Sequence, residues 1–223
     1  MAPAWPVEMQ AFDRRLDEIV TLFATLGRLP HVRTLSIDGG PADLGSRLIQ
    51  SGFRQVGADL SMVLEDAGPC LALARTLEGR PGLRLERVGQ EPELRAIEVA
   101  RLLVQAFGVE SDRVPALAAE TIAAGRRPGG SVLLLMEAGV PASAARRITL
   151  DGSTYLSSIG TVPSLQGRGH GSLITAVAVA EALRDGTRFV HLLVEADNRT
   201  AIQLYERLGF IALGDPIVDL LLR

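Results

Sequence analysis

The chain contains no lysine, and cysteine, histidine and aromatic residues are scarce. Its 223 residues include one cysteine, three histidines and only 4% aromatic residues. Without lysine, the chain cannot form a Schiff base, and it cannot complete a Walker phosphate loop, which needs Lys before Ser or Thr. A single cysteine excludes an intrachain disulfide and is consistent with a reducing compartment. One cysteine and three isolated histidines do not have metal-ligand spacing, so we expect no metal site.

Signals for export, membrane insertion and nucleic-acid binding are also missing. The first residues carry mixed charges without the apolar core of a signal peptide, and the longest apolar stretch, near residues 173–183, is too short to span a bilayer. The net charge is −3 and the arginines are scattered, which argues against a nucleic-acid partner. The motifs G-x-S-x-G and H-E-x-x-H do not occur. We therefore expect a globular, cytoplasmic protein with a sizeable core.

A glycine-rich turn separates an apolar strand-like run, Tyr155–Val162, from an apolar helix that is predicted to begin at Leu173. The turn places three glycines around one arginine: Gly167, Arg168, Gly169 and Gly171. Glycine allows positive φ and a close approach of the backbone to a ligand. The unpaired N–H groups at a helix start, together with the helix dipole, favour a negative charge there. The stretch therefore predicts a site for an anionic phosphate, although its spacing differs from the dinucleotide fingerprint G-x-G-x-x-G.

A second motif follows another apolar strand, His191–Val194, and reads Asn198-x-x-Ala201-x-x-x-Tyr205-x-x-x-Gly209-Phe210. In this order, the two segments resemble the GNAT superfamily of acetyl-CoA-dependent N-acetyltransferases. The family's pyrophosphate signature, Q/R-x-x-G-x-G/A, is matched by Gln166, Gly169 and Gly171. Its later helix is matched by Asn198, Tyr205, Gly209 and Phe210. The resemblance extends over residues 83–223.

The resemblance implies a fold and a reaction. The fold would be α+β, with a mixed, mostly antiparallel sheet flanked by helices, and the reaction would move an acetyl group from acetyl-CoA to a primary amine. Backbone N–H groups of the turn would bind the CoA diphosphate: Gln166, Gly167, Arg168, Gly169, His170, Gly171 and Ser172. Arg168 would add a positive charge or be an exposed loop arginine. His170 occupies a variable position, and we expect it to be solvated rather than catalytic.

The same resemblance assigns the remaining site residues. Ile159, Gly160 and Thr161 would be main-chain partners of the pantetheine arm, and a backbone N–H there would stabilise the developing oxyanion. Tyr205, with an ordinary phenol pKa of ~10, would give a proton to the leaving thiolate; the alternative is a tyrosine that is buried by its ring. Asn198 would cap the helix beginning at Arg199 or Thr200 and would also contact the cofactor.

The general base and the acceptor stay open. Many relatives carry a glutamate on the strand before the turn, where this chain has Ser157 and Ser158. The candidates for the base are a water chain or one of three carboxylates, Glu137, Glu195 and Asp197, with Glu195 preferred. The missing glutamate keeps a non-catalytic acyl-CoA-binding module as the alternative function. Loops near residues 108–114 and 214–216 are expected to face the acceptor.

The first third of the chain repeats part of the pattern of the last third. When Gly52-Phe53 is laid on Gly209-Phe210, Pro41 falls where Asn198 stands and Leu48 where Tyr205 stands. We therefore predict a degenerate GNAT-like half-domain and connector at residues 1–80 and an acetyltransferase domain at residues 81–223. The exposed sheet edge that a half-domain implies leaves room for a homodimer. In this part of the chain, the sequence also predicts a strand at His31–Ile37 and a strand pair formed by Phe53–Val56 and Leu60–Leu64.

Overall fold

The computed structural model describes residues 5–34, 41–88 and 93–223, and these form seven α-helices and nine β-strands. The elements follow in the order α1 Met9–Thr25, β1 His31–Thr34, α2 Leu44–Gln50, β2 Phe53–Leu64, α3 Gly68–Arg75, β3 Leu83–Val88, α4 Glu93–Phe107, α5 Val114–Arg126, β4 Gly130–Glu137, β5 Val140–Leu150, β6 Ser153–Thr161, α6 His170–Arg184, β7 Phe189–Glu195, α7 Arg199–Arg207, β8 Phe210–Ala212 and β9 Ile217–Leu222. Short 3₁₀ turns lie at Ser111–Arg113 and Pro163–Leu165.

The chain divides into two compact units that are not consecutive in sequence. The first unit comprises residues 1–61, 194–199 and 212–223, and the second comprises residues 62–193 and 200–211. The division into domains at residue 80 stays a prediction. Within the described residues, no helix combines the length and the apolar character needed to cross a bilayer.

In the first unit, β9 lies between β1 and β2 and is antiparallel to both. The apolar face of the amphipathic α1 buries Phe12 and Leu16 against Leu48, Phe53 and Leu220. Burial of large apolar side chains of this kind stabilises the unit by roughly 1.5–3 kcal/mol for each fully buried side chain.

The structure tests two strand predictions for this unit. The predicted pair Phe53–Val56 and Leu60–Leu64 is wrong, because both stretches belong to one strand, β2. The register on β9 shifts between Gln55 and Gly57, so a β-bulge interrupts the apolar alternation that suggested two strands. The strand predicted at His31–Ile37 is observed at His31–Thr34, and its last residues lie outside the described ones.

The second unit contains a sheet with the strand order β7-β6-β5-β4-β3. Neighbouring strands from β3 to β6 are antiparallel, whereas β6 and β7 are parallel and are joined by α6. The strand β4, which lies between β5 and β3, is a continuous apolar run, and its residues 132–136 are all buried. Val132, Leu134 and Met136 pack against Leu102 and Leu103 of α4.

The helix α6 begins earlier than the sequence predicted. It starts at His170 rather than Leu173, directly after Gly169, whose φ of 81° is left-handed. Residues 173–179 are all buried, because α6 packs against β5 and β6 and also against α3. The glycine-rich turn thus leads directly into a helix that is held firmly on several sides.

Candidate active site

The glycine-rich turn links the end of β6 to α6 and has a conformation that requires glycine at two positions. Gly167 and Gly169 have φ values of 78° and 81°. An L-residue in this left-handed region is disfavoured by about 1–2 kcal/mol, so the conformation selects glycine. A Cβ atom built on either residue would meet no atom within 4 Å, and both positions therefore face open space.

The N–H groups of this turn are available to a ligand. Leu165 and Gln166 donate to carbonyls of the 3₁₀ turn, and Leu173 donates to Gly169 O at 2.9 Å. Between them, the N–H groups of Gly167 to Ser172 have no hydrogen-bond acceptor among the described residues. Unpaired amides at the N-terminus of a helix form a site that favours anions.

Two other turn residues are fixed by the surrounding chain. The Gln166 side chain folds back and donates from Nε2 to Thr161 O at 3.3 Å. A Cβ on Gly171 would lie 3.4 Å from Thr161 Oγ1 and 3.5 Å from Leu204 Cδ1. Gly171 therefore lets the first turn of α6 approach Thr161 and Leu204 closely.

Arg168 and His170 both face Glu137, the last residue of β4. The Arg168 Nη1 donates to Glu137 Oε2 at 3.2 Å, and His170 Nε2 lies 3.3 Å from the same oxygen. The prediction of a solvated His170 is wrong, because the residue is only 3% exposed. The ring of the first residue of α6 points into the protein, whereas the exposed Arg168 lies on its surface.

The strand β6 contains a bulge just before the turn. Ala144 pairs with Gly160 and Arg146 pairs with Ser157, so two residues of β6 stand opposite one of β5. Ser158 in this bulge has a φ of 50°, and Ile159 follows it. The registered pairs between β6 and β7 end at Leu156–Leu192, while β6 continues to Thr161. Beyond that pair, the two strands no longer form a registered ladder.

Gly160 is required for a packing reason that the sequence did not reveal. A Cβ there would lie 2.9 Å from Ala106 Cβ and 3.3 Å from Leu103 Cδ2, both on α4. The Gly160 carbonyl accepts a hydrogen bond from the buried Ser143 Oγ at 2.7 Å, and the same hydroxyl lies 3.0 Å from Thr161 Oγ1. Ser143 was missed, although a single serine within the apolar run of β5 is a detectable signal.

Tyr205 lies on α7 with its ring buried. The residue is 7% exposed, and its ring meets Phe210 edge-on with the ring centroids 6.0 Å apart. No hydrogen bond joins its hydroxyl to another described residue, and that oxygen is not among the polar atoms sealed from solvent. Burial, with a smaller contribution from the charge of Tyr155, raises the pKa of Tyr205 to about 12. The hydroxyl therefore stays protonated at neutral pH.

The sequence did not single out two neighbouring side chains of the second unit. Tyr155 and His191 face each other across the parallel strands β6 and β7, with their ring centroids 5.3 Å apart. Burial lowers the pKa of His191, and its Nδ1 lies 3.3 Å from Ser153 Oγ. Burial therefore favours the neutral form of the His191 ring.

Asn198 and two of the three candidate carboxylates belong to the first unit. Asn198 directly precedes α7, which begins at Arg199 as predicted, and its N–H donates to Glu195 O at 3.0 Å. Glu195 and Asp197 line a cavity of about 780 Å³ in this unit, together with Asp59, Asp219 and other residues. Glu137 is in the second unit, so the candidates for the base are divided between the two units.

The cavity of the first unit is strongly acidic, and one arginine compensates part of its charge. Arg33 forms ion pairs with Asp59 and with Asp219, the latter at 2.8 Å from Nε to Oδ1. No such partner of Glu195 or Asp197 occurs among the described residues. Asp59 and Asp219 carried no recognisable motif, because they lie on β2 and β9 and meet only through strand pairing.

The chain was compared with known proteins and structures. Residues 132–216 match the family model of FR47-like proteins. A mycothiol acetyltransferase of Mycobacteroides abscessus is 45% identical over 65 residues, which is 29% of this chain and 21% of that relative. The chain thus spans about a fifth of the length of the curated relatives it matches.

Solved structures resemble almost the whole chain. A GCN5-related N-acetyltransferase from Kribbella flavida gives a TM-score of 0.69 at 21% identity and covers 96% of this chain and 76% of its own. A tandem GNAT protein from the clavulanic acid biosynthesis pathway, determined without acetyl-CoA, gives a TM-score of 0.68 at 16% identity. The match covers 97% of this chain and 70% of the chain of that protein.

Together, these likenesses confirm the fold class. The protein has the α+β GNAT fold, with a mixed, mostly antiparallel sheet flanked by helices. More particularly, residues 132–216 form an FR47-like region that contains the glycine-rich turn and Tyr205. The resemblance to the GNAT superfamily that the two motifs indicated is therefore confirmed.

Proposed function

We propose that the protein transfers an acetyl group from acetyl-CoA to a primary amine. The observation that supports this most directly is the row of unpaired N–H groups from Gly167 to Ser172 at the start of α6. GNAT-fold proteins use acetyl-CoA, and the curated relatives that match this chain are named acetyltransferases.

The diphosphate of CoA fits the turn in charge and in space. A hydrogen bond from an N–H to a charged oxygen is worth about 1.5–3 kcal/mol, and the helix dipole adds about 0.3–1 kcal/mol. The open space beside Gly167 and Gly169 lets an anion approach the backbone. The N–H groups of Gly167 to Ser172 would therefore contribute most of the anchoring, with Arg168 as the nearby positive charge, whereas the Gln166 N–H that the resemblance assigned to the diphosphate donates to Pro163 O at 3.3 Å.

The acetyl thioester would lie along β6, where its pairing with β7 ends. There Ile159, Gly160 and Thr161 would offer main-chain groups to the pantetheine arm. A backbone N–H at the Ser158 bulge would stabilise the charge that develops on the carbonyl oxygen when the amine attacks. One preorganised donor of this kind is worth about 3–4 kcal/mol in other acyl transfers.

Tyr205 would supply the hydrogen bond or proton that the leaving sulfur needs. Its pKa of about 12 keeps the hydroxyl protonated and available as a donor. Complete transfer to a free thiolate, whose thiol has an ordinary pKa of ~8.5, is uphill by roughly 5 kcal/mol. Tyr205 therefore acts first as a hydrogen-bond donor while the negative charge on sulfur is still developing. Asn198 would help to hold the cofactor beside α7.

The acidic cavity of the first unit is suited to a positively charged group. Its carboxylates include Glu195 and Asp197, and only part of the negative charge is compensated by Arg33. An amine with a pKa near ~10 arrives protonated at neutral pH and must lose a proton before it attacks. Glu195, which is exposed, stays the preferred candidate for the base.

The proposal is tested by measuring thiol release from acetyl-CoA with a panel of amines. We expect release that depends on both acetyl-CoA and an amine, and we expect Tyr205→Phe to retain CoA affinity while kcat falls. CoA binding without turnover on a broad panel would favour a non-catalytic acyl-CoA-binding module instead. Failure of the wild-type protein to bind CoA would refute both functions.

A further inference from the structure

Glu137 touches the glycine-rich turn at two points, and the proposed catalytic steps do not use it. Its Oε2 accepts a hydrogen bond from Arg168 Nη1 at 3.2 Å and lies 3.3 Å from His170 Nε2. The two partners are alternate residues of the turn, with the left-handed Gly169 between them. One carboxylate therefore contacts the turn on both sides of the left-handed Gly169.

The His170 ring makes this arrangement unusual. It is 3% exposed, and neither ring nitrogen has a hydrogen-bond partner among the described residues. The Nε2 atom is close enough to Glu137 for an electrostatic contact, but it lacks hydrogen-bond geometry. A buried polar ring is unfavourable without compensation, so the nearby carboxylate stabilises this position of the ring.

The turn needs an external constraint, because glycine leaves its backbone free. Gly167 and Gly169 can adopt many conformations, of which only some aim the successive N–H groups outward. Glu137 stands at the end of a strand in the buried core of the sheet, so its backbone is held in place. Contacts to both Arg168 and His170 transmit that rigidity to the turn.

We propose that Glu137 is a positioning residue that holds the turn in its diphosphate-binding conformation. The proposal rests on the proposed function, since it concerns the binding of CoA at this turn.

Two effects of the carboxylate oppose each other. Its contacts favour the binding conformation, whereas its negative charge repels a diphosphate and competes for Arg168. The repulsion acts through solvent at this partly exposed site and is screened by salt. We therefore expect the positioning effect to be larger.

The test is Glu137→Gln, which keeps the size of the side chain and removes its charge. We expect the Kd for CoA, measured by calorimetry, to rise roughly five-fold, as for the loss of a partly exposed ion pair. The KM for acetyl-CoA should rise similarly, with kcat and Tm close to the wild-type values. Glu78→Gln, at an exposed site in the connector, is the matched control and should leave every value unchanged.

A double-mutant cycle identifies the route of the effect. If Glu137 acts through Arg168, the loss of affinity in Glu137→Gln combined with Arg168→Gln will be smaller than the sum of the two single losses. Glu137→Asp, which keeps the charge, should recover part of the affinity.

Three results would overturn the positioning role. They are an equal or tighter Kd for CoA in Glu137→Gln, a fall in Tm and kcat together that indicates general damage, and fully additive losses in the cycle. If the wild-type protein binds CoA and any of these three results is found, the proposed function stands without this role for Glu137. If the wild-type protein does not bind CoA, both are refuted.

Discussion

Replacing Gly169 by alanine separates the folding role of the glycine-rich turn from its binding role. Gly169 has a φ of 81°, and a Cβ there would meet no protein atom within 4 Å. The substitution therefore creates no steric clash within the protein. Gly186, which follows the other end of α6, has a φ of 85° and equally open surroundings. The two sites are about 22 Å apart along the helix, so Gly186→Ala is a matched control.

The expected change in stability is the same at both sites. Alanine in the left-handed region is disfavoured by about 1–2 kcal/mol, and the stiffer unfolded chain returns about 0.4–1 kcal/mol. A net loss of about 1 kcal/mol lowers Tm by roughly 2 °C for a chain of this length. Thermal unfolding followed by circular dichroism would measure this shift.

The expected change in binding differs between the two sites. Alanine at residue 169 favours negative φ, which rotates the adjacent peptide planes and turns N–H groups away from the open side. Loss of one N–H bond to a charged oxygen removes about 1.5–3 kcal/mol, so the Kd for CoA should rise at least about ten-fold. Gly186→Ala should bind CoA as the wild-type protein does. Wild-type affinity in Gly169→Ala, with the expected fall in Tm, would refute the assignment of the diphosphate to these amides.

Three further predictions concern stability and pH. Gly209→Ala should unfold the second unit or destabilise it by more than about 3 kcal/mol. The reason is that Gly209 has a φ of 90° and that a Cβ there would collide with the Asp66 carbonyl. A urea midpoint like that of the wild type would contradict this prediction. The thiol of Cys70 is buried and donates to Leu208 O at 3.2 Å, and burial raises its pKa to about 12. The free energy of unfolding should therefore fall by roughly 4 kcal/mol between pH 9 and 12, because the thiol ionises in the unfolded chain. Cys70→Ala should remove this loss from denaturant titrations. Because the pKa of Tyr205 is raised to about 12, the ratio of wild-type to Tyr205→Phe kcat should stay constant up to pH 10, and a ratio that declines with a midpoint near pH 10 would show an unshifted phenol.

Much of the second unit could be predicted because its signals are local. Alternating apolar positions predict a strand at Leu83–Val88, and helical apolar spacing predicts a helix at Glu93–Phe107; β3 and α4 have these bounds. The break at Pro163 and the left-handed Gly167 and Gly169 depend on the backbone properties of proline and glycine alone. The binding roles assigned to Gln166–Ser172, to Ile159–Thr161, to Asn198 and to Tyr205 stay predictions.

The repeat seen in the sequence has a structural counterpart. Gly52 and Gly209 both end a helix with positive φ, and Phe53 and Phe210 are both buried at the start of a strand. Leu48, at the position that corresponds to Tyr205, is fully buried and apolar. These parallels support a degenerate half-domain, whose lack of chemistry at residues 1–80 stays a prediction. A homodimer and a cytoplasmic location likewise stay predictions.

The sequence by itself determined where strands and helices lie in the second unit and which glycine-rich turn is predicted to bind an anion, because these features depend on residues that are close together along the chain. Only the tertiary structure decided the environment of His170. Its burial and its contact with Glu137 depend on β4, which ends thirty-three residues earlier in the chain. The tertiary structure also brought β9 between β1 and β2 and so placed Asp219 beside Arg33. Contacts between distant residues leave no periodic signal in one sequence, which is why these features appear only when the chain is folded.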